Sequence, residues 1–482
     1  MATVGELTYA PAWKLRELIG TRQISPVELV KSTFARIEEL NPRLNAFLTV
    51  TADLALQQAK AAEDAVMRGD ELGPLHGVPT SIKDLEGVEG VRQTNGSLLY
   101  RDSVSGRDSL CVERLRSAGA VFVGKTNTPE FGAAGTTENR LGDACRNPWD
   151  PNRTAGGSSG GAAATVAAGV TSIAQGSDGG GSVRIPASFC GVFGMKATQG
   201  RVPRRSTGLH SYHPLNNSAV GPISRDVRDS AVMLSVMSGP SLDAEDGTMP
   251  TVPPDFSAAL GRGVKGLRVA WSEDFGGVPV DPGVVEICAR AAAVFAEMGA
   301  DVEHADFRPD PPEAVLENFI TFATVKTYAV HHGDLEHRDK LTDYYIAALE
   351  RGKSVTGEQY FSALSHIWRY KAYAAEFFAK YDLLLSPTLA VPAFPVGEAP
   401  EMIGGKRVLS SRLGFYPFTY PFNAIGNPAA SVPCGFAKAP GSEALPVGLQ
   451  VVGRHGDEET VLAASAAFEQ ARPWAHRRPP LK

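Results

Sequence analysis

Between residues 76 and 178 short β-forming runs alternate with stretches of small, helix-compatible residues, which restricts the chain to few architectures. His76–Ile82 reads as a strand, 109–118 as a helix, and Ala120–Gly124 (AVFVG) as a compact buried strand. Residues 160–169 read as a small-residue helix and Val170–Gln175 as a returning strand. Strand–helix–strand alternation points to an α/β sheet covered by helices on both faces. Ahead of it, helices are expected over 8–19, 26–40 and 51–68. Ser25-Pro26 fits an N-cap followed by proline at the first helical position, with Glu28 placed as in a capping box. Gly69 and Gly73-Pro74 end the third helix.

Residues 240–258, rich in Pro, Asp and Ser, read as a linker, after which the alternation resumes. Leu267–Trp271 is a strand, 282–298 an amphipathic helix, and Asp301–Glu303 starts another strand. Residues 313–380 are helical and aromatic, and Tyr381–Leu385 is a strand. Residues 386–428 are irregular and rich in Pro and Phe, as pocket loops often are. Ala429–Pro433 and Pro446–Val452 pair as strands before a closing helix at 457–471.

The composition excludes several classes of function. A net charge of −6 with no long basic run argues against a nucleic-acid partner. The small cluster Arg201, Arg204 and Arg205 reads as a solvated loop. Five scattered cysteines without a CxxC pair give neither a disulfide framework nor a zinc site. His331, His332 and His337 lack metal-ligand spacing. The N-terminus has no apolar core or cleavage-like site, and Ala162–Ala174 is too short and polar to span a bilayer. The expectation is a soluble cytoplasmic protein with no membrane association, metal or cofactor.

Three segments carry chemistry: Gly77-Val78-Pro79-Thr80-Ser81-Ile82-Lys83-Asp84, Ala155-Gly156-Gly157-Ser158-Ser159-Gly160-Gly161, and Gly176-Ser177-Asp178-Gly179-Gly180-Gly181-Ser182-Val183-Arg184-Ile185-Pro186-Ala187. Glycines around serines let backbone approach a ligand closely. If the DGGGS loop curls, its consecutive N–H groups converge into an anion-binding nest beside Ser182, a ready oxyanion hole. A serine hydroxyl needs a base. No histidine here sits in a motif with an acid, whereas Lys83 follows an apolar stretch whose burial would favour the neutral amine. The loops fit neither a phosphate-binding P-loop nor the GxSxG elbow of α/β-hydrolases.

Together these segments resemble the amidase signature family. Ser158 lies 75 positions after Lys83 and Ser182 another 24 on, spacings that fit that family. Pro74–Gly77, Gly124–Phe131, Cys190–Gly194 and Pro446–Gln450 also look familial. The resemblance implies that Ser182 is the nucleophile. Ser158, at a cis peptide bond, passes its proton to neutral Lys83. The N–H groups of Gly179, Gly180, Gly181 and Ser182 form the oxyanion hole, and Ser159, Asp178 and Arg184 support the site without touching substrate. Thr126 and Asn127 carry little weight as catalytic residues.

The implied fold is one large α/β/α domain over 1–482 with a mixed, mostly parallel twisted sheet. Residues 1–69 supply N-terminal helices, 70–240 the catalytic core, 241–428 a second lobe with the substrate pocket, and 429–482 strands and a helix returning to the core. Two departures stand out: Gly179 replaces a Thr or Ile common in relatives, and Lys196-Ala197-Thr198-Gln199-Gly200 lacks the usual tyrosine in what reads as a pocket-side loop.

The expected activity is hydrolysis of small or medium apolar or aryl amides, with ester or carbamate (urethane) cleavage through a similar tetrahedral state. Phe415–Phe422 and 313–380 are the expected apolar walls. The alternative is the glutaminase subunit of a tRNA-dependent amidotransferase, disfavoured by the changed loop and by an apolar pocket. A homodimer is left open.

Overall fold

In the computed structural model residues 7–207, 217–245, 249–309 and 313–481 are described. The chain forms a single α/β domain around one 11-stranded sheet. In chain order its strands are β1 (Phe47–Val50), β2 (Pro79–Lys83), β3 (Val121–Thr126), β4 (Ile173–Asp178), β5 (Phe193–Lys196), β6 (Ala219–Ser224), β7 (Arg268–Trp271), β8 (Asp301–His304), β9 (Leu383–Pro387), β10 (Ala429–Ala439) and β11 (Ser442–Gly453). Their order across the sheet is β1-β3-β2-β4-β6-β5-β10-β11-β9-β7-β8. Strands before and after residues 240–258 share this sheet, so the expected linker joins two parts of one layer.

The sheet is mixed, but the expectation of a mostly parallel one is corrected. β3/β2/β4 and β9/β7/β8 run parallel, while β1/β3 and every neighbour pair from β4 across to β9 are antiparallel. One antiparallel pair, β10/β11, is a hairpin closed by the two-residue turn Pro440-Gly441, whereas the others bring together strands separated by long stretches of chain. Strand–helix–strand alternation is a local signal and does not report the direction in which such distant strands meet.

Most expected elements occur within a few residues of their anticipated bounds. Ser25 caps its helix by accepting from the Val27 and Glu28 N–H groups, and its hydroxyl donates to Glu63 Oε1 at 2.6 Å. That helix continues past residue 40 to Leu44, where Asn45 takes the left-handed conformation. β2 and β4 are buried at every position, as expected for strands covered on both faces. Among the described residues no helix is long and apolar enough to cross a membrane.

β2 and β4 are parallel neighbours, with Ser81 opposite Ala174 and Ile82 opposite Gln175. Their carboxyl ends therefore emerge at one edge of the sheet, bringing Lys83 beside Ser177 and Asp178. Open α/β sheets build their sites at such edges.

Candidate active site

Lys83 ends β2 and is fully buried. Its Nζ lies 2.6 Å from Ser158 Oγ and 3.1 Å from Ser177 Oγ, with Ser177 O at 3.5 Å. Burial disfavours the ammonium and pushes the pKa down to about 7, although the Asp178 carboxylate pulls the other way.

Ser158 follows a cis Gly157–Ser158 peptide bond and precedes the helix Gly160–Ala167. This short helix is wedged tightly into the molecule: a Cβ on Gly161 would run into Ala46 O and the backbone of Asn127. Ser159 joins the two glycine loops. Its Oγ donates to Ser177 O at 3.2 Å and its N–H donates to Ser182 O at 3.1 Å.

The loop Gly179–Ser182 is held by its carbonyls. Asp178 O accepts from Asn423 Nδ2 at 2.8 Å, Gly179 O from Asn217 Nδ2 at 3.0 Å, and Gly180 O from Thr419 Oγ1 at 2.7 Å. Gly181 O accepts from Ile185 N at 2.6 Å. In a trans peptide the C=O and N–H point opposite ways, so pinning a carbonyl also fixes the next residue's N–H. Gly181 has φ +128°, and a Cβ there would strike Thr419 Oγ1. Its N–H donates to Asp178 Oδ1 at 2.7 Å. The expectation of four converging donors is thereby reduced, because this one is already engaged.

Asp178 and Arg184 form a fully buried pair whose hydrogen bonds are all met. Arg184 donates through Nε and Nη2 to Asp178, through Nη1 to Gln450 Oε1 and Thr419 O, and through Nη2 to Asn423 Oδ1. Burial opposes ionisation of Asp178, but the guanidinium prevails and holds the carboxyl well below the usual carboxylate range. These two residues tie the Gly179–Ser182 loop to the sheet.

Ser182 and Ser158 open onto one cavity of about 920 Å³, whose wall also includes Ser177, Gly179 and Gly180. Lys83 sits behind Ser158, outside the lining. Ser182 and Ser158 share this wall, and Ser182 Oγ makes no hydrogen bond to Ser158. The aromatic lining is Phe131, Phe319, Tyr344, Tyr345, Phe394, Phe415 and Tyr416. Of the expected stretch Phe415–Phe422 only the first two residues reach the cavity, while Phe418 and Phe422 pack in the core behind.

Three further expectations are corrected. The cavity is not simply apolar, since Glu86, Arg204 and Lys326 line it too. Arg201, Arg204 and Arg205 are not a solvated loop: Arg201 and Arg204 are buried against Glu458 and Glu86, and half-buried Arg205 pairs with Glu113 at the surface. The Lys196–Gly200 loop does not border the cavity; Gln199 N–H donates to Gly426 O in the interior. Asn127 binds the Asn45 carbonyl and the Asn139 amide, outside the lining. Among the described residues no group of three or more His, Cys, Asp or Glu side chains could hold a metal ion.

The Amidase family profile matches residues 28–462. The chain is 37% identical to an acylamidase of Rhodococcus erythropolis over 99% of its own length and 98% of that protein's. The chain belongs to the amidase signature family. This amidase is accordingly a hydrolase of carbon–nitrogen bonds other than peptide bonds. It is also 38% identical to a glutamyl-tRNA(Gln) amidotransferase subunit of Moorella thermoacetica, over 99% of each chain. A crystal structure of a bacterial aryl acylamidase of the amidase signature family superposes with a TM-score of 0.89 at 33% identity, covering 97% of both chains.

Sequence reasoning passes over several residues of this amidase's site. Ser177 lies inside the third glycine-rich motif, yet nothing there marks it as a partner of the lysine. Asn217, Thr419 and Asn423 carry no local signal at all, while Gln450 closes the stretch Pro446–Gln450.

Proposed function

We propose that this amidase is a free-standing acyl amidohydrolase working through an acyl-enzyme on Ser182. Ser182 attacks the carbonyl carbon while Ser158 accepts its proton and passes its own to Lys83. The N–H groups of Gly179, Gly180 and Ser182 receive the oxyanion. The relay then returns the proton to the leaving amine, and water releases the acid.

The observation that carries this reading is the buried Lys83–Ser158 contact. A neutral amine has two N–H groups and one lone pair. Ser177 supplies two acceptors for the N–H groups, which leaves the lone pair for the Ser158 hydroxyl. With a pKa near 7, that form is well populated at neutral pH. The Ser182–Ser158 link is expected to close with substrate, since catalytic hydrogen bonds often tighten only in the complex.

The aromatic lining and the acylamidase relative favour small to medium amides with apolar or aryl groups, with esters and carbamates as secondary substrates. The second reading, a glutaminase subunit supplying ammonia to a tRNA-dependent amidotransferase, draws support from the Moorella relative and from the charged part of the cavity. Turnover of acyl p-nitroanilides of graded chain length, set beside glutamine and aryl carbamates, decides between them. Anilide kcat/KM well above that for glutamine supports the first reading; turnover of glutamine alone overturns it.

A further inference from the structure

Lys326, half-buried on the helix Glu313–His331 where it lines the cavity, lies far in sequence from the catalytic motifs, and its Nζ donates to Asn217 Oδ1 at 3.3 Å. The other end of that side-chain amide, Asn217 Nδ2, donates to Gly179 O at 3.0 Å. Gly179 C=O belongs to the peptide unit whose N–H is that of Gly180. Asn423 Nδ2 donates to Asn217 O at 3.2 Å and to Asp178 O, so Asn217 is fixed from its backbone as well. A cation, a side-chain amide and a backbone amide thus form one head-to-tail chain ending at the oxyanion loop.

We infer that Lys326 is a positioning residue that polarises the Gly180 N–H through Asn217 and so strengthens the oxyanion hole. Hydrogen bonds in such a chain polarise one another, and each donor gains from the one behind it. The charge survives at neutral pH, since burial, aided by the Arg204 guanidinium, brings the pKa down only to about 8. The inference rests on the proposed use of Ser182 and its loop.

The test uses the intact protein and a fluorophosphonate probe, whose phosphoryl oxygen also needs the hole. Lys326→Met and Asn217→Ala are each expected to lower the maximal labelling rate roughly tenfold with little change in probe affinity, as for an interaction made only in the transition state. The double variant should be no slower than either single, and Lys326→Arg should recover most of the rate. An effect on affinity alone, an additive double variant, or an arginine variant as slow as the methionine one overturns the inference. If Lys326→Met does not fold, Lys326→Gln keeps a donor without the charge; a rate as high as the wild type's then overturns it, and a reduced rate supports it. Ser182→Ala separates the two levels. Labelling that persists in it sinks the nucleophile assignment, whereas a silent Ser182→Ala beside a full-rate Lys326→Met sinks only the role of Lys326.

Discussion

Replacing Asp178 by Asn removes one negative charge from a site with no access to water. Asp178 and Arg184 are both fully buried, and every guanidinium N–H is already committed. The new amide NH2 would face donors, because Asp178 accepts from the N–H groups of Gly181 and Val183 as well as from Arg184. Breaking a buried pair from one side costs about 3–5 kcal/mol. That is a large share of a folding free energy of roughly 5–15 kcal/mol. Urea unfolding at neutral pH should show the loss as a lower midpoint at unchanged slope.

The pH dependence has a definite sign. The folded carboxyl titrates well below its unfolded value, so its contribution is fully present above about pH 4 and fades as pH falls further, through the folded pKa. The gap between wild type and Asp178→Asn should therefore be flat from neutral pH down to about 4 and close below that. Arg184→Met combined with Asp178→Asn should cost much less than the sum of the two, since no unpaired charge remains. A single-variant loss under about 1 kcal/mol, the range of exposed pairs, would refute the argument.

The nest glycines should respond in opposite ways. Gly181→Ala forces a Cβ into Thr419 at a positive φ, which must shift the loop and with it the neighbouring Gly180 and Ser182 N–H groups, and should cut kcat by at least ~10²-fold, as loss of an oxyanion donor does. At Gly179 a Cβ meets only the Ser218 side chain, at 3.5 Å or more, so Gly179→Ala should leave kcat within a few-fold and raise stability by about 0.4–1 kcal/mol in thermal or urea unfolding. Lys83→Ala should lower kcat by ~10²–10⁴-fold. The kcat/KM profile should rise through about pH 7 as Lys83 loses its proton. Burial holds Lys196 in the same range, but it donates to Asn427 O away from the cavity and should not shape that limb; an Lys196→Met variant with an unshifted profile checks this.

Much of the candidate site is legible in the chain because the proposed chemistry is local. Lys83, Ser158 and Ser182 each sit in a short motif whose glycines announce close backbone approach. The anchors of the nest are not legible, because Thr419 and Asn423 lie some 240 residues downstream and meet the loop only after the sheet has folded. The arginines at 201, 204 and 205 mislead for the same reason: their acidic partners are contributed by other elements. Strand direction is lost because most neighbours in the sheet come from distant parts of the chain, while periodicity reports only that a strand exists. Within the nest, the Gly181 N–H counts as a free donor until the fold shows that Asp178, three residues back, curls round to accept it.

In the proposed mechanism Ser182 becomes nucleophilic because a neutral, buried Lys83 draws its proton away through Ser158. Fluorophosphonate labelling followed by peptide mapping across a pH series tests this directly. A single adduct on Ser182, formed at a rate that rises with a midpoint near pH 7 and collapses in Lys83→Ala, is the expected outcome. An adduct on another residue, or a Ser182 adduct formed just as fast without the lysine, would contradict it.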